Sequence, residues 1–344
     1  MNPHSGIDRK RPHTCARWLC ALGVCTLAAF ATPSLAQAPD RAAAAYPSKP
    51  IKLVVAYPPG AAVDIIARAV AQKMSETMGQ PMVLEYRPGA NGLVGAETVA
   101  RSAPDGYTFL VIDRGALTIN PSLHKSLPYD PLKDFAYTGV LAELRFVLAI
   151  NPTLPAATFK EFVQLVKARP GALNYASFGI GSLIHFNFER LKAQLGIDLT
   201  HVPYKGTFQA ATAVITNEAA VMMASAAGVT SFVRDGRMRA LAVGSPARLS
   251  TLPEVPTMSE VGGGQDTLVP NYFTFVAPAG TPRAIILRMN TEIGRILLSP
   301  DLSDRFAKAG LSPRTSTPEE FGESVRLDIA RFGTMVRALG ITPQ

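Results

Sequence analysis

Apolar and polar positions along the chain alternate between two textures. Ile51, Leu53, Val54 and Val55 form a short, nearly continuous apolar run, the pattern of a strand covered on both faces. Tyr57-Pro58-Pro59-Gly60-Ala61-Ala62-Val63 breaks the run with uncharged, turn-forming residues. Behind Asp64, a natural N-cap, Ile65, Ile66, Ala69, Val70 and Met74 recur at helical spacing, and Gly79 stands where a C-cap is expected. A strand at Met82 to Glu85, a loop Arg87-Pro88-Gly89-Ala90-Asn91-Gly92, a helix from Leu93 to Arg101 and a strand from Tyr107 to Ile112 follow. This β-α-β-α-β order predicts a doubly wound parallel sheet, whose ligands lie beyond the carboxyl ends of the strands. The loops Tyr57 to Asp64 and Asp113-Arg114-Gly115-Ala116 both fall at that edge.

The device then repeats. Tyr137 to Ile150 runs extended and reads as a first passage between domains. Thr158 and Glu161 make a capping box, and Phe159, Phe162, Val163 and Val166 share one helical face. Leu173 to Ser177 is a strand, and Phe178-Gly179-Ile180-Gly181-Ser182 is a second glycine-bearing loop, with Ser182 capping the next helix. A helix near Phe208 to Thr216, strands near Ala220 to Met223 and at Ala240 to Val243, and a return passage at Tyr272 to Val276 follow. A helix with Pro282 at its first position and a last helix from Thr317 to Gly340 close the chain. The expected fold class is α/β: two doubly wound domains joined by two crossing strands. One comprises 37–146 plus 272–344 and the other 147–271.

Composition narrows the chemistry. Residues 1–36 carry Arg9, Lys10, Arg11 and Arg17 ahead of the mostly apolar Trp18 to Ala31 and the small residues of Ser34-Leu35-Ala36, a secretory signal peptide. All three cysteines lie in it, so cysteine nucleophiles, thiolate metal sites and disulfides are excluded from the remainder. The net charge of +8 is scattered, without runs or interleaved aromatics, which argues against nucleic-acid binding. No two histidines stand at metal-ligand spacing, and Gly89, Gly92 and Gly95 do not make a dinucleotide fingerprint. No acid–base pair stands out, so no cofactor, metal or catalytic residue is expected. What remains is two small-residue loops opening onto helix N-termini, where backbone N–H groups attract anions, although ordinary βα turns look the same.

The chain resembles the substrate-binding proteins of tripartite tricarboxylate transporters, the Bug family. The resemblance rests on Tyr46-Pro47-Ser48-Lys49-Pro50-Ile51, Pro58-Pro59-Gly60 with Asp64, Arg87-Pro88-Gly89-Ala90 and Ala103-Pro104-Asp105-Gly106-Tyr107-Thr108. It continues through Asn120-Pro121, Gly181-Ser182 with His185 and Glu189, Val202-Pro203-Tyr204-Lys205-Gly206, Leu252-Pro253-Glu254-Val255-Pro256-Thr257 and Ala277-Pro278-Ala279-Gly280-Thr281-Pro282. It implies a periplasmic clamp that closes on a small carboxylate, acts as a monomer and delivers its ligand to membrane subunits. The implied ligand-binding residues are Tyr57, Gly60, Ala61, Ala62, Val63 and Asp64 in one domain and Ser177, Phe178, Gly179, Gly181, Ser182 and His185 in the other. Asp113, Arg114, Tyr204 and Ser225 border the same edges. Val63 stands where the family often has a hydroxyl, and Asp113-Arg114 where small residues are usual, which implies a drier, differently charged pocket. Arg114 is expected to select a second acceptor on the ligand; the plain alternative pairs it with Asp113 or other acids at the surface. Two other roles compete: a sensor that presents its ligand-bound form to a receptor, and an enzyme on the same fold.

Overall fold

The apolar runs assemble into two separate sheets. The structure, a computed structural model, describes residues 46–60, 62–204, 206–264 and 267–343. It runs β1 (Ile51–Val55), α1 (Ala62–Met78), β2 (Met82–Tyr86), α2 (Leu93–Ala100), β3 (Thr108–Asp113), α3 (Arg114–Thr118), α4 (Asn120–Leu123) and β4 (Phe135–Leu144). Then come β5 (Phe146–Ile150), α5 (Phe159–Ala168), β6 (Asn174–Ser177), α6 (Leu183–Leu195), β7 (Thr200–Pro203), α7 (Thr207–Ile215), β8 (Val221–Ser225), α8 (Ala226–Arg234) and β9 (Arg239–Val243). The chain returns through β10 (Asn271–Pro278), α9 (Arg283–Leu297), α10 (Pro300–Lys308), β11 (Leu311–Pro313) and α11 (Pro318–Ala338).

Among the described residues the first sheet has the order β11-β4-β10-β3-β1-β2 and the second β7-β6-β8-β5-β9. The parallel pairing expected of the first unit is present, since β1 lies parallel to both β2 and β3. Each sheet as a whole is mixed. β10 returns between β3 and β4 antiparallel to both, and β5 enters the second sheet antiparallel to β8 and β9. The two crossings are adjacent: Arg145 alone separates β4 from β5, and β10 starts with Asn271 opposite Leu144.

β1 shows why its run is so apolar. Ile51, Leu53 and Val55 pack with Ile66, Val70 and Met74 of α1, while Val54 faces a second cluster with Leu110, Val99, Phe321 and Val325. Each such side chain, fully buried, contributes roughly 1.5–3 kcal/mol. The second lobe is built alike, with Val147, Ala149 and Met222 against Ala210 and Val214 of α7. The lobes also touch: Phe186 of α6 meets Phe332 of α11 with ring centroids 5.5 Å apart.

Three local expectations are corrected. Helix α1 begins at Ala62, so Asp64 lies inside its first turn and is not its N-cap. Pro282 is the residue before α9, not its first. The stretch after β3 is a helix at once, with Asp113 as the cap of α3, its carboxylate accepting from Ala116 N at 3.1 Å. The signal peptide, residues 1–36, lies outside the described residues, as do Ala61 and Lys205. No described helix is long and apolar enough to cross a membrane.

Candidate functional site

The glycine loop of the second lobe is held from within. β6 ends at the fully buried Ser177, whose Oγ accepts from Gly179 N at 3.1 Å and lies 2.5 Å from His201 Nε2. Ser182 caps α6 by accepting from His185 N at 3.3 Å. Gly181 N donates to His185 Nδ1 at 3.1 Å, which places the proton of a neutral imidazole on Nε2. His185 and His201 stack at 4.2 Å and 10°, with Tyr175 on His201 at 4.9 Å and its hydroxyl donating to Glu189 at 2.7 Å. Ser177 has no access to a substrate, so its closeness to His201 does not make a nucleophile.

The stack makes this loop sensitive to pH. Burial holds His185 below its ordinary value; burial and then His185 push His201 down to about 4. As pH falls past about 6.5 the unfolded chain takes up protons first, so this stability is complete above that pH and is lost between about 6.5 and 4. Melting temperature should fall through that window, and His201→Gln should flatten the fall relative to the parent. An unchanged slope in the variant would show that other groups cause it.

Gly181 has its backbone in the left-handed region at φ 76°, and a Cβ there would lie 2.4 Å from Leu123 Cδ1 in the first lobe. At this junction is a cavity of about 410 Å³. Ala90, Asn91, Leu123 and His124 line it from the first lobe, Phe178, Ile180, Gly181 and Ser182 from the second, with Ile341 and Thr342 beyond α11. Asn91 adopts φ 52°, ψ 45°, a conformation an ordinary side chain resists. Asn120 holds it there. Asn91 Nδ2 donates to Asn120 Oδ1 at 3.2 Å, and Asn120 Nδ2 donates to Asn91 O at 3.3 Å and lies 3.3 Å from the Tyr129 hydroxyl. Asn91, Leu123, His124 and Ile180 were not among the residues singled out from sequence. The one local signal was an Asn directly before a glycine, Asn being the non-glycine residue that best tolerates this backbone.

The first loop is arranged differently from expectation. Asp64 is buried and its carboxylate accepts from Gly60 N at 2.8 Å, Arg68 Nε at 2.8 Å and the Tyr86 hydroxyl at 2.5 Å. Burial works against its charge, but the Gly60 amide, Tyr86 and Arg68 together hold its pKa below the ordinary range. Asp64 thus turns back on the loop before α1, and none of its three donors is a first-turn amide of that helix. The Tyr57 hydroxyl donates to Asp113 and approaches Asn91 Oδ1 at 3.4 Å, one layer behind the cavity. Burial, before all else, raises the pKa of both Tyr57 and Asp113. Gly60, Ala62, Val63 and Asp64 do not line the cavity. Tyr204 donates to Glu218 at 3.0 Å, and Ser225 caps α8 by accepting from Gly228 N at 3.2 Å. Of the sequence-read set, Phe178, Gly181 and Ser182 meet at the cavity, and Ser177, Gly179 and His185 brace them.

Arg114 neither pairs with Asp113 nor faces solvent. It is buried, 3.1 Å from Asp328 of α11, donates to Pro270 O at 3.3 Å and lies 4.5 Å over the Tyr272 ring. The reason is that Asp113 is already engaged by Tyr57 and the α3 amides. Arg114 lines a second cavity that shares no lining residue with the first. No group of three or more described His, Cys, Asp or Glu side chains could hold a metal ion.

Residues 66–341 match the model of a family described as tripartite tricarboxylate transporter family receptor. Protein BugT of Bordetella pertussis is 33% identical over 296 residues, covering 86% of this chain and 90% of its own. A UPF0065 protein of the same organism is 32% identical over 301 residues, covering 87% and 92%. Among solved structures, the periplasmic binding protein BugD has a TM-score of 0.72 at 29% identity, covering 87% of this chain and all of that one. MatC from Rhodopseudomonas palustris, with bound malate, has a TM-score of 0.70 at 29% identity, covering 85% and 100%. An R. palustris protein with adipate has 0.75 at 29%, covering 87% and 100%. With its two mixed α/β lobes and a cavity where they meet, the chain belongs to the tripartite tricarboxylate transporter receptor family of periplasmic solute-binding proteins.

Proposed function

We propose that this protein captures a small carboxylate between its lobes in the periplasm and delivers it to the membrane subunits of a tripartite tricarboxylate-type transporter, without chemical turnover. The observation that carries the reading is the cavity to which both lobes contribute, at the mouth of the glycine loop and the N-terminus of α6. Ser182 caps His185 N, so the amides of Leu183 and Ile184 are the first-turn donors the cap leaves over, and their dipole favours an anion. Malate and adipate in two relatives are carboxylates of the size such a cavity admits. No lysine or arginine is among the described residues that line it, so recognition rests on amides, polar side chains such as Ser182 and Asn91, and bridging water. In this reading residues 37–146 plus 272–344 and residues 147–271 move as two bodies about Arg145 and Pro270, the protein works as a monomer, and residues 1–36 direct its export.

A panel of mono- and dicarboxylates including malate and adipate tests it. A ligand at about 100 times its dissociation constant should add about 2.7 kcal/mol to stability, several degrees in melting temperature. X-ray scattering should show a smaller radius of gyration with that ligand. No shift with any member of the panel would overturn carboxylate capture, and a shift without contraction would overturn closure.

A further inference from the structure

The second cavity, of about 360 Å³, is walled by Arg114, Arg145, Arg190, Arg314 and Arg331 around Tyr272. These arginines come from every part that a hinge would connect. Arg114 follows β3, Arg314 follows β11 and Arg331 is on α11, all in the first lobe; Arg145 is the crossing residue and Arg190 is on α6 of the second lobe. Among the described residues, two carboxylates in contact with them balance this charge. Glu143 accepts from Arg145 Nε at 2.8 Å and Arg314 Nη1 at 3.1 Å, and Asp328 serves Arg114. Arg190 and Arg331 form no ion pair with any described residue, and Arg190 Nη1 is sealed from solvent without a hydrogen-bond partner.

The site is also built. The guanidinium groups of Arg114 and Arg314 lie 4.5 and 5.0 Å over the Tyr272 ring, which fixes two like charges in place. Its far wall is fixed as well: Asn187 of α6 exchanges two hydrogen bonds with the backbone of Val269, at 3.1 and 3.0 Å. Five guanidinium groups against two carboxylates leave a repulsive surplus in a partly dry space, where charges act more strongly than in water. Burial depresses the pKa of Arg114 even with Asp328 beside it.

We propose that this cavity is a second ligand site, for a small oxyanion carrying two or more negative charges, such as phosphate or a polycarboxylate, and that the anion bridges the lobes. Planar guanidinium forks approaching from several sides suit an anion with several acceptor oxygens.

Titration calorimetry and thermal melts on the mature protein, with inorganic phosphate, citrate and acetate as probes, test this. Phosphate or citrate should bind saturably and raise the melting temperature, and added sodium chloride should weaken both effects. Acetate should not compete with phosphate. Arg190→Gln with Arg331→Gln should weaken phosphate binding at least tenfold. Without anion that variant should melt no lower than the parent, because it removes two like charges. Arg331→Gln alone, at an exposed position, should keep the fold and still lose several-fold in phosphate affinity. Gly181→Ala, which opposes lobe contact from outside this cavity, should weaken phosphate binding less than the arginine substitutions do; citrate binding that survives loss of the arginines then belongs to the first cavity. Whichever of phosphate and citrate the arginine substitutions affect more identifies the anion class. Absence of saturable binding by both, or phosphate binding that Gly181→Ala abolishes and the arginine variants spare, overturns the proposal.

Discussion

Gly181→Ala is expected to weaken carboxylate binding by about 10- to 100-fold. Two costs are involved, and they fall on different states. The left-handed backbone at φ 76° costs an alanine about 1–2 kcal/mol wherever the lobes stand, so it lowers stability without altering affinity much. The added methyl also lies 2.4 Å from Leu123 Cδ1 across the lobe junction, and this overlap arises only when the lobes meet. Overpacking of that kind costs about 1–3 kcal/mol, which is the predicted loss of affinity if closure accompanies binding. Calorimetric titration of the best ligand from the carboxylate panel measures it. Leu123→Ala in the same molecule makes room for the methyl and should recover most of the affinity. Equal affinity in parent and Gly181→Ala would mean that Gly181 and Leu123 need not meet when ligand binds.

The second large effect concerns stability. Asp328→Ala should cost about 3–5 kcal/mol, because it leaves the Arg114 guanidinium buried without its carboxylate. Side-chain exposures of 7% and 11% put this pair well inside the protein. Burial raises the pKa of Asp328 in spite of Arg114, and lowers that of Arg114 in spite of Asp328, so desolvation outweighs attraction on both sides. It follows that the pair is costly to break yet adds little over an apolar substitute. Arg114→Met combined with Asp328→Leu should therefore melt within a few degrees of the parent, while Asp328→Ala alone should fall by roughly 5–15 °C. A double variant as unstable as the single one would show that the two charges hold the local fold and not only each other.

What could be read from the chain alone was whatever depends on near neighbours. The apolar run at Ile51 to Val55, the helical spacing behind Asp64, the caps at Thr158 and Ser182 and the helix start at Thr317 each follow from a few consecutive residues, and each element is present. The two passages between lobes were legible for the same reason, as extended stretches bounded by proline. The glycine loop was found because Gly181 and Ser182 carry their own local logic: a left-handed turn and a cap.

Only the tertiary structure decided how side chains choose among distant partners. Asp64 turns to Tyr86, Asp113 to Tyr57, and Arg114 to Asp328, which lies more than two hundred positions along the chain. No local pattern ranks such pairings, because a buried charge takes whichever counter-charge the packing brings within reach. The same holds for both cavities. One needs Leu123 against Gly181, and the other gathers arginines from five separate segments that look, in sequence, like scattered surface charge. Residue type sets what each group can do. Folding alone brings them close enough, and dry enough, to do it together.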